Sequence, residues 1–308
     1  MTHKTKIVIA GIGGVGGYFG GLLARAYAGN ENIEVHFIAR GAHLKEIQNH
    51  GLTVIKGDID FIGKPFLATD NATEIGIADY VIICTKSYDL AEMLNQLMPC
   101  IGAETVLLPL LNGVEAVEKI RDQFPNQLVP AGCAYIVSAL KEPGIVENMG
   151  NRQEIYFGLD NATDQRLTAL EDLLKAAGVE ATLSNNISKL IWEKFIFLSC
   201  IATATSFYNK PIGELLKENR TALQDFISES AAIATAKNIE VEPNTVGKAM
   251  KHYISLPFAT TSSMQRDFQF NSKKTELESI TGYVVKQGKR LGIPTPYFEV
   301  AYQALLKR

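Results

Sequence analysis

The chain's polar and apolar positions set two patterns one after the other. Ile7-Val8-Ile9-Ala10 is a short run without charge, and the residues behind it, to about 28, are rich in Gly, Leu and Ala. A brief continuous apolar run followed by a helical periodicity predicts a strand that feeds a helix. The order then repeats. Strands are predicted at Lys6 to Ala10, Glu34 to Ile38, Tyr80 to Cys84, Thr105 to Leu108 and Leu128 to Val137, and helices at about 14–28, 41–49, 88–99 and 114–123. Such alternation predicts α/β architecture with a doubly wound parallel sheet. Gly144 to Leu159 reads as added strands, with Asn148-Met149-Gly150-Asn151 as turn chemistry. Past Ser184-Asn185-Asn186 the pattern turns helical, at 187–207, 219–238, 243–254 and 272–292, and a closing helix follows Pro294-Thr295-Pro296. The expectation is an N-terminal α/β domain over 1–185 and an all-α C-terminal domain over 186–308.

At the first strand-to-helix corner, Gly11, Gly13 and Gly16 form G-x-G-x-x-G. In this setting the glycines allow a tight turn, a close backbone approach to a pyrophosphate and tight helix-to-strand packing, the signature of a Rossmann dinucleotide site. The alternative is a corner whose glycines only pack. On the first reading Gly11, Ile12, Gly13, Gly14, Val15 and Gly16 bind the cofactor. The second strand ends His36-Phe37-Ile38-Ala39-Arg40, with no carboxylate in the position that usually holds a ribose 2′-hydroxyl. Arg40 there suits a 2′-phosphate and favours NADP(H), unless it is a solvated loop arginine. Lys86, after the Tyr80 strand, and Asn112, after the Thr105 strand, lie where open α/β sheets place ligands; each is also an ordinary loop residue.

Lys194 is the most telling residue of the second half. Its helical neighbours Leu190, Ile191, Phe197 and Leu198 are all apolar, so its ammonium stands on the wrong face. It either snorkels to water or serves as a general acid. Thr260 to Ser263 places four hydroxyls in a row ahead of Asp267, as a helix cap or a carboxylate site. Glu276 is either an exposed first-turn acid or a group directed into a site.

Composition narrows the classes. With 46% hydrophobic residues, 20% charged residues and a formal charge of −3, the chain has an ordinary globular composition, and it shows no basic run of the kind that binds nucleic acid. An N-terminus that passes directly into a strand, and the lack of an uncharged apolar run of roughly 18 residues, give the expectation of a cytoplasmic protein without a membrane partner. Cys84, Cys100, Cys133 and Cys200 are widely spaced and read as reduced thiols, and the histidine spacing supports no metal.

Taken together, these residues resemble the ketopantoate reductases (2-dehydropantoate 2-reductases). The likeness rests on Gly11-x-Gly13-x-x-Gly16, Arg40-Gly41-Ala42-His43-Leu44, Thr85-Lys86, Asn112-Gly113, Trp192-x-Lys194, Gly213-Glu214-Leu215, Ser262-Ser263-Met264 to Asp267, Thr275-Glu276 and Gly292-Ile293-Pro294-Thr295-Pro296, and so covers nearly the whole chain. The resemblance implies a Rossmann domain followed by a helical domain, and NADPH-dependent reduction of 2-dehydropantoate to pantoate for pantothenate and coenzyme A synthesis. It implies that Lys194 is the proton donor, that Asn112 and Glu276 contact cofactor or substrate at the catalytic centre, and that Arg40 and Lys86 address the 2′-phosphate. It implies too that Ser263 binds the substrate carboxylate, with Lys194, Ser262 and Asp267 as the other substrate-binding residues. Leu198, Ala202, Ile212 and Thr260 stand where the family often has asparagine, so another 2-oxo acid is an alternative substrate. A non-enzymatic NADPH sensor is the reading from a different class; Lys194 and Glu276 speak against it. Family members occur as monomers and dimers, which leaves a homodimer open.

Overall fold

In the computed structural model, which describes residues 3–308, the uncharged run at the start of the chain is a central strand. The elements before residue 187 are β1 (Thr5–Ala10), α1 (Gly14–Ala26), β2 (Ile33–Ile38), α2 (Gly41–His50), β3 (Leu52–Lys56), β4 (Ile59–Gly63), β5 (Leu67–Thr69), β6 (Ala78–Ile83), α3 (Leu90–Leu97), β7 (Ile101–Pro109), α4 (Glu115–Gln123), β8 (Ala131–Glu142), β9 (Ile145–Gly158), α5 (Gln165–Ala176) and β10 (Glu180–Ser184). A parallel sheet has the order β5-β2-β1-β6-β7. Its strands alternate between two cores. Ile7 and Ile9 of β1, with Ile82 of β6 and Leu108 of β7, join the side chains of α1 and α5, whereas Val8, Ala10, Val81, Ile83 and Leu107 join those of α3 and α4. Burial on both faces explains why these strands read as apolar runs without alternation.

A second, mixed sheet has the order β10-β9-β3-β4, with β8 paired antiparallel to β9. Two sequence expectations change here. The strand expected at Leu128 to Val137 runs Ala131–Glu142 and lies in this sheet; Leu128 makes only a bridge to Val106. The turn expected at Asn148 to Asn151 lies inside β9. Ile136 faces Gln153 but Ser138 faces Asn148, so residues 149–152 bulge against Val137 alone. Asn and Gly in that stretch shape a bulge, where an extra backbone segment needs the same conformational latitude as a turn.

Two sheets need a thin layer between them, and α1 provides it. A Cβ at Gly14 would fall 2.3 Å from the Ser138 carbonyl oxygen, one at Gly17 2.5 Å from Val146, and one at Gly21 2.5 Å from Val54, all in the second sheet. At Gly16 the clash is with the Gly11 carbonyl oxygen at 2.1 Å, and at Gly20 with Phe37 and Ile9 of the parallel sheet at 3.1–3.2 Å. The glycines beyond G-x-G-x-x-G therefore serve packing on both faces of one helix.

By its internal contacts the chain divides into two compact units, one comprising the residues through Leu111 with Ala116–Ile187 and the other Asn112–Glu115 with Ser188–Arg308. The second is helical: α6 (Ile187–Tyr208), α7 (Ile212–Glu218), α8 (Arg220–Ala236), α9 (Thr245–Ser255), α10 (Ser263–Gln269), α11 (Tyr283–Leu291) and α12 (Pro296–Leu305). By length and composition α6 could span a bilayer, but 67% of its most apolar stretch is buried within the protein, the condition of a core helix. Trp192 and Phe195 of α6 stack edge-on, and Phe195 meets Tyr283 of α11 at 5.6 Å. From α8, the buried Glu229 accepts the N–H groups of Tyr297 and Phe298 at 2.9 and 3.0 Å, which satisfies amides at the start of α12. Burial raises its carboxyl pKa, and these two bonds oppose that rise.

The helix expected over 272–292 begins later. A π-turn, Glu278–Gly282, precedes α11, marked by the Gly282 N–H bonding the Leu277 carbonyl at 2.8 Å. Its Thr281 hydroxyl meets Thr203 of α6 at 2.7 Å. Local π-turns of this kind often accompany functional sites.

Candidate functional site

In the first unit the candidate residues gather at the carboxyl end of the parallel sheet. Gly11 has φ +95°, and a Cβ there would lie 2.9 Å from the Thr85 backbone nitrogen, so side-chain size and backbone conformation both require glycine. Gly13 is the N-cap of α1, makes no side-chain cap bond and has nothing within 4 Å of where its Cβ would stand. The first turn of α1 carries no acid. Open space beside uncapped amides at a helix start fits a phosphate, so the loop has the form a dinucleotide needs. Ile12 is buried and Val15 packs against the core, which leaves their backbone as what they present. Gly14 has a packing role against Ser138 in any case. Burial pushes the Cys84 thiol, next to Gly16, up to about 12, so it stays an unreactive thiol.

Arg40 follows β2 as the N-cap residue of α2 and is exposed. Its guanidinium lies 3.3 Å from Asp89 and 3.9 Å from Glu92. These acids come from the segment behind β6, and no spacing in the sequence linked them to Arg40. Lys86 is also exposed and precedes the short helical turn Ser87–Asp89. Another residue that the sequence left unassigned is His43 of α2. Its Nε2 is 2.7 Å from the Ile12 carbonyl oxygen, and its Nδ1 accepts the Gly144 N–H at 2.8 Å.

In the second unit Lys194 Nζ donates to Asn112 Oδ1 at 3.3 Å. These residues are 82 apart in sequence, and Asn112 belongs to this unit by virtue of the short segment Asn112–Glu115. Gly113, with φ +95°, is close to Ser279 of the π-turn, whose carbonyl oxygen would be 3.3 Å from a Cβ there. Glu276 is 2% exposed, which removes the exposed first-turn reading. Its carbonyl accepts from Ile280 N–H and the Ser279 hydroxyl.

Ser262 is the N-cap of α10, where its Oγ accepts the Gln265 N–H at 3.0 Å and meets Thr205 at 2.8 Å. The cap reading therefore describes its side chain here; Ser263 and Asp267 follow, half-buried, on α10. Ala202 sits in an apolar cluster with Met264, Leu277 and Ile280, a setting that would leave an asparagine amide without obvious partners. Ile212 N–H bonds the Thr260 carbonyl at 2.9 Å, so two of the departures from the asparagine pattern meet through their backbones. Among the described residues, no group of three or more His, Cys, Asp or Glu side chains could hold a metal ion.

A parallel sheet with a glycine-rich corner behind its central strand, followed by a helical unit, has the architecture of dinucleotide-dependent oxidoreductases. Comparison narrows this. The ketopantoate reductase PanE/ApbA family model matches residues 7–161, and its C-terminal model matches 186–308. The chain belongs to the ketopantoate reductase family. A crystal structure of 2-dehydropantoate 2-reductase from Porphyromonas gingivalis W83 is 35% identical, covers 99% of this chain and 100% of its own, and superposes with a TM-score of 0.87. The uncharacterized oxidoreductase YkpB of Bacillus subtilis (strain 168) is 30% identical over 97% of both chains. A ternary structure of D-mandelate dehydrogenase with NADH and anilino(oxo)acetate is 25% identical, covers 98% of each chain and has a TM-score of 0.84.

Proposed function

We propose that this protein reduces a 2-oxo acid to the 2-hydroxy acid with NADPH, with 2-dehydropantoate to pantoate, in pantothenate and coenzyme A biosynthesis, as the first assignment. The observation that carries the reading is the Lys194 to Asn112 contact, which joins the ammonium on α6 to the segment behind β7. The bound dinucleotide supplies the hydride. Lys194 holds a proton beside the carbonyl oxygen, where negative charge develops, and gives it up as the alcohol forms. Asn112 fixes the direction of the ammonium. Glu276 is the buried acid of the same site, Ser263 opens α10 on the substrate side with Asp267 four residues further along that helix, and Ser262 is its cap. Gly11 to Gly16 seat the pyrophosphate, and Arg40 with Lys86 meets the 2′-phosphate. The protein is cytoplasmic in this reading, with a small-molecule substrate and no nucleic-acid or membrane partner.

The apolar surroundings of Ala202 favour a second substrate reading, a 2-oxo acid with an apolar side chain. Initial rates of NADPH oxidation with 2-dehydropantoate beside branched and aromatic 2-oxo acids test both. Preference for 2-dehydropantoate supports the first assignment. Turnover of an apolar 2-oxo acid alone keeps the chemistry and replaces the substrate, and tight NADPH binding without turnover on any of them refutes the enzyme in favour of a sensor.

A further inference from the structure

The glycine loop is held from outside by a side chain with two partners. His43 stands in the first turn of α2, half-buried, with Nε2 2.7 Å from the Ile12 carbonyl oxygen inside Gly11-Ile12-Gly13. On its other edge the Gly144 N–H, from the turn between β8 and β9, donates to Nδ1 at 2.8 Å. These two partners select one form of the ring. A carbonyl needs a proton on Nε2, and an amide N–H needs a lone pair on Nδ1, so only the neutral Nε2–H tautomer satisfies both.

We infer that His43 is a positioning residue for the glycine loop: its neutral imidazole ties Ile12 to the Gly144 turn, holds the loop in the form that receives a dinucleotide, and releases it on protonation. The inference rests on the dinucleotide reading of that loop. Protonation would set an N–H on Nδ1 against the Gly144 N–H, which opens the contact to the second sheet.

Near the ring, charged groups are engaged in two pairs of their own. Glu46 of α2 has its Cβ beside Gly144, where a glycine Cβ would lie 2.8 Å away, while its carboxylate pairs with His50 at 3.0 Å. Lys141 and Glu147, on either side of the β8–β9 turn, pair with each other at 3.2 Å. Glu142 ends β8 at the surface, and residues 11–17 carry no ionisable side chain. Burial is the largest influence on the ring and lowers its pKa below the ordinary histidine value; the Ile12 bond opposes it. With the folded pKa below the unfolded one, the contribution of the clamp is fully present above the ordinary imidazole range. It is lost as pH falls through the lower folded value.

The test uses the full-length protein with His43→Gln, His43→Asn and His43→Ala. Glutamine can return an N–H to the Ile12 carbonyl, whereas asparagine can return only an acceptor to Gly144. Two readouts are taken from about pH 8 to about pH 5: the NADPH dissociation constant by fluorescence titration, and amide hydrogen exchange of the ligand-free loop at residues 11–17. Wild type should lose affinity as pH falls, by about three- to tenfold, the worth of one net hydrogen bond. His43→Gln keeps the Ile12 bond without the Gly144 one, as the protonated ring does, so it should match wild type at low pH and lose the pH dependence. Asparagine and alanine, without the Ile12 bond, should bind about three- to tenfold more weakly than wild type at about pH 8, lose the pH dependence and exchange faster in the loop. Equal affinity and equal loop exchange in wild type and His43→Ala across the range would overturn the inference. If no form bound NADPH, the function proposed above would fall, while loop exchange would still decide the clamp.

Discussion

The two clusters of candidate residues, one in each unit, are made of different material. At the start of α1 the glycine corner is backbone: open space at Gly13, positive φ at Gly11, and amides that no side chain caps. Around Lys194 the site is side chain, with an ammonium on a buried helix meeting an amide 82 residues away. A site of backbone can be damaged only by adding atoms, and a site of side chains only by removing or exchanging them. The first fails through sterics and the second through chemistry.

The sharpest way to break the backbone half is Gly16→Ala. Its Cβ would fall 2.1 Å from the Gly11 carbonyl oxygen, and backbone against backbone has no rotamer to yield. We expect a loss of about 1–3 kcal/mol or more in chemical denaturation, together with loss of dinucleotide binding. Gly13→Ala separates the two effects. Nothing lies within 4 Å of its Cβ, so stability should hold while the NADPH dissociation constant rises by about tenfold or more, as one charge-assisted bond is lost. Equal damage by both substitutions would mean that Gly13 is structural too.

In the helical unit, Glu229→Gln is the matching test of a side-chain contact outside the reaction. It replaces one of two accepting oxygens by an N–H donor opposite the α12 amides, and unfolding free energy should fall by about 1–3 kcal/mol with the KM values little changed. The smallest effect is at Arg40. On the proposed function Asp89 and Glu92, which pair with Arg40, compete with the 2′-phosphate for its guanidinium, so Asp89→Asn should raise the ratio of kcat/KM for NADPH over NADH by about two- to fivefold. A fall in that ratio would show that Asp89 supports the phosphate site instead of competing with it.

The same contrast decides what could be read from the sequence. Strands buried on both faces announced themselves as uncharged runs, and G-x-G-x-x-G marked its corner because backbone geometry constrains residue type directly. The second sheet was harder to see. Its β4 is a short edge strand with Ile59 and Ile62 exposed, and the Asn148 to Asn151 bulge uses turn residues inside a strand. Glycines 17, 20 and 21 belong to no motif, and their role follows only from the sheet that packs on each side of α1. Lys194 stood out as a cation among apolar neighbours, but its partner Asn112, like the pairing of His43 with Gly144, depends on chain segments that meet only in the fold. Ser262 shows the reverse case: its hydroxyl stood out in the sequence, and in the structure that hydroxyl caps α10.

The proposed roles, dinucleotide binding at the α1 corner and proton donation by Lys194, meet their decisive test in a single preparation of Lys194→Ala, by titrating NADPH and then following a single turnover with the best 2-oxo acid. The account predicts a dinucleotide affinity within about twofold of wild type and a hydride-transfer rate lower by about 10²–10⁴. A variant that turned over at the wild-type rate, or one that lost NADPH binding and turnover together, would contradict it.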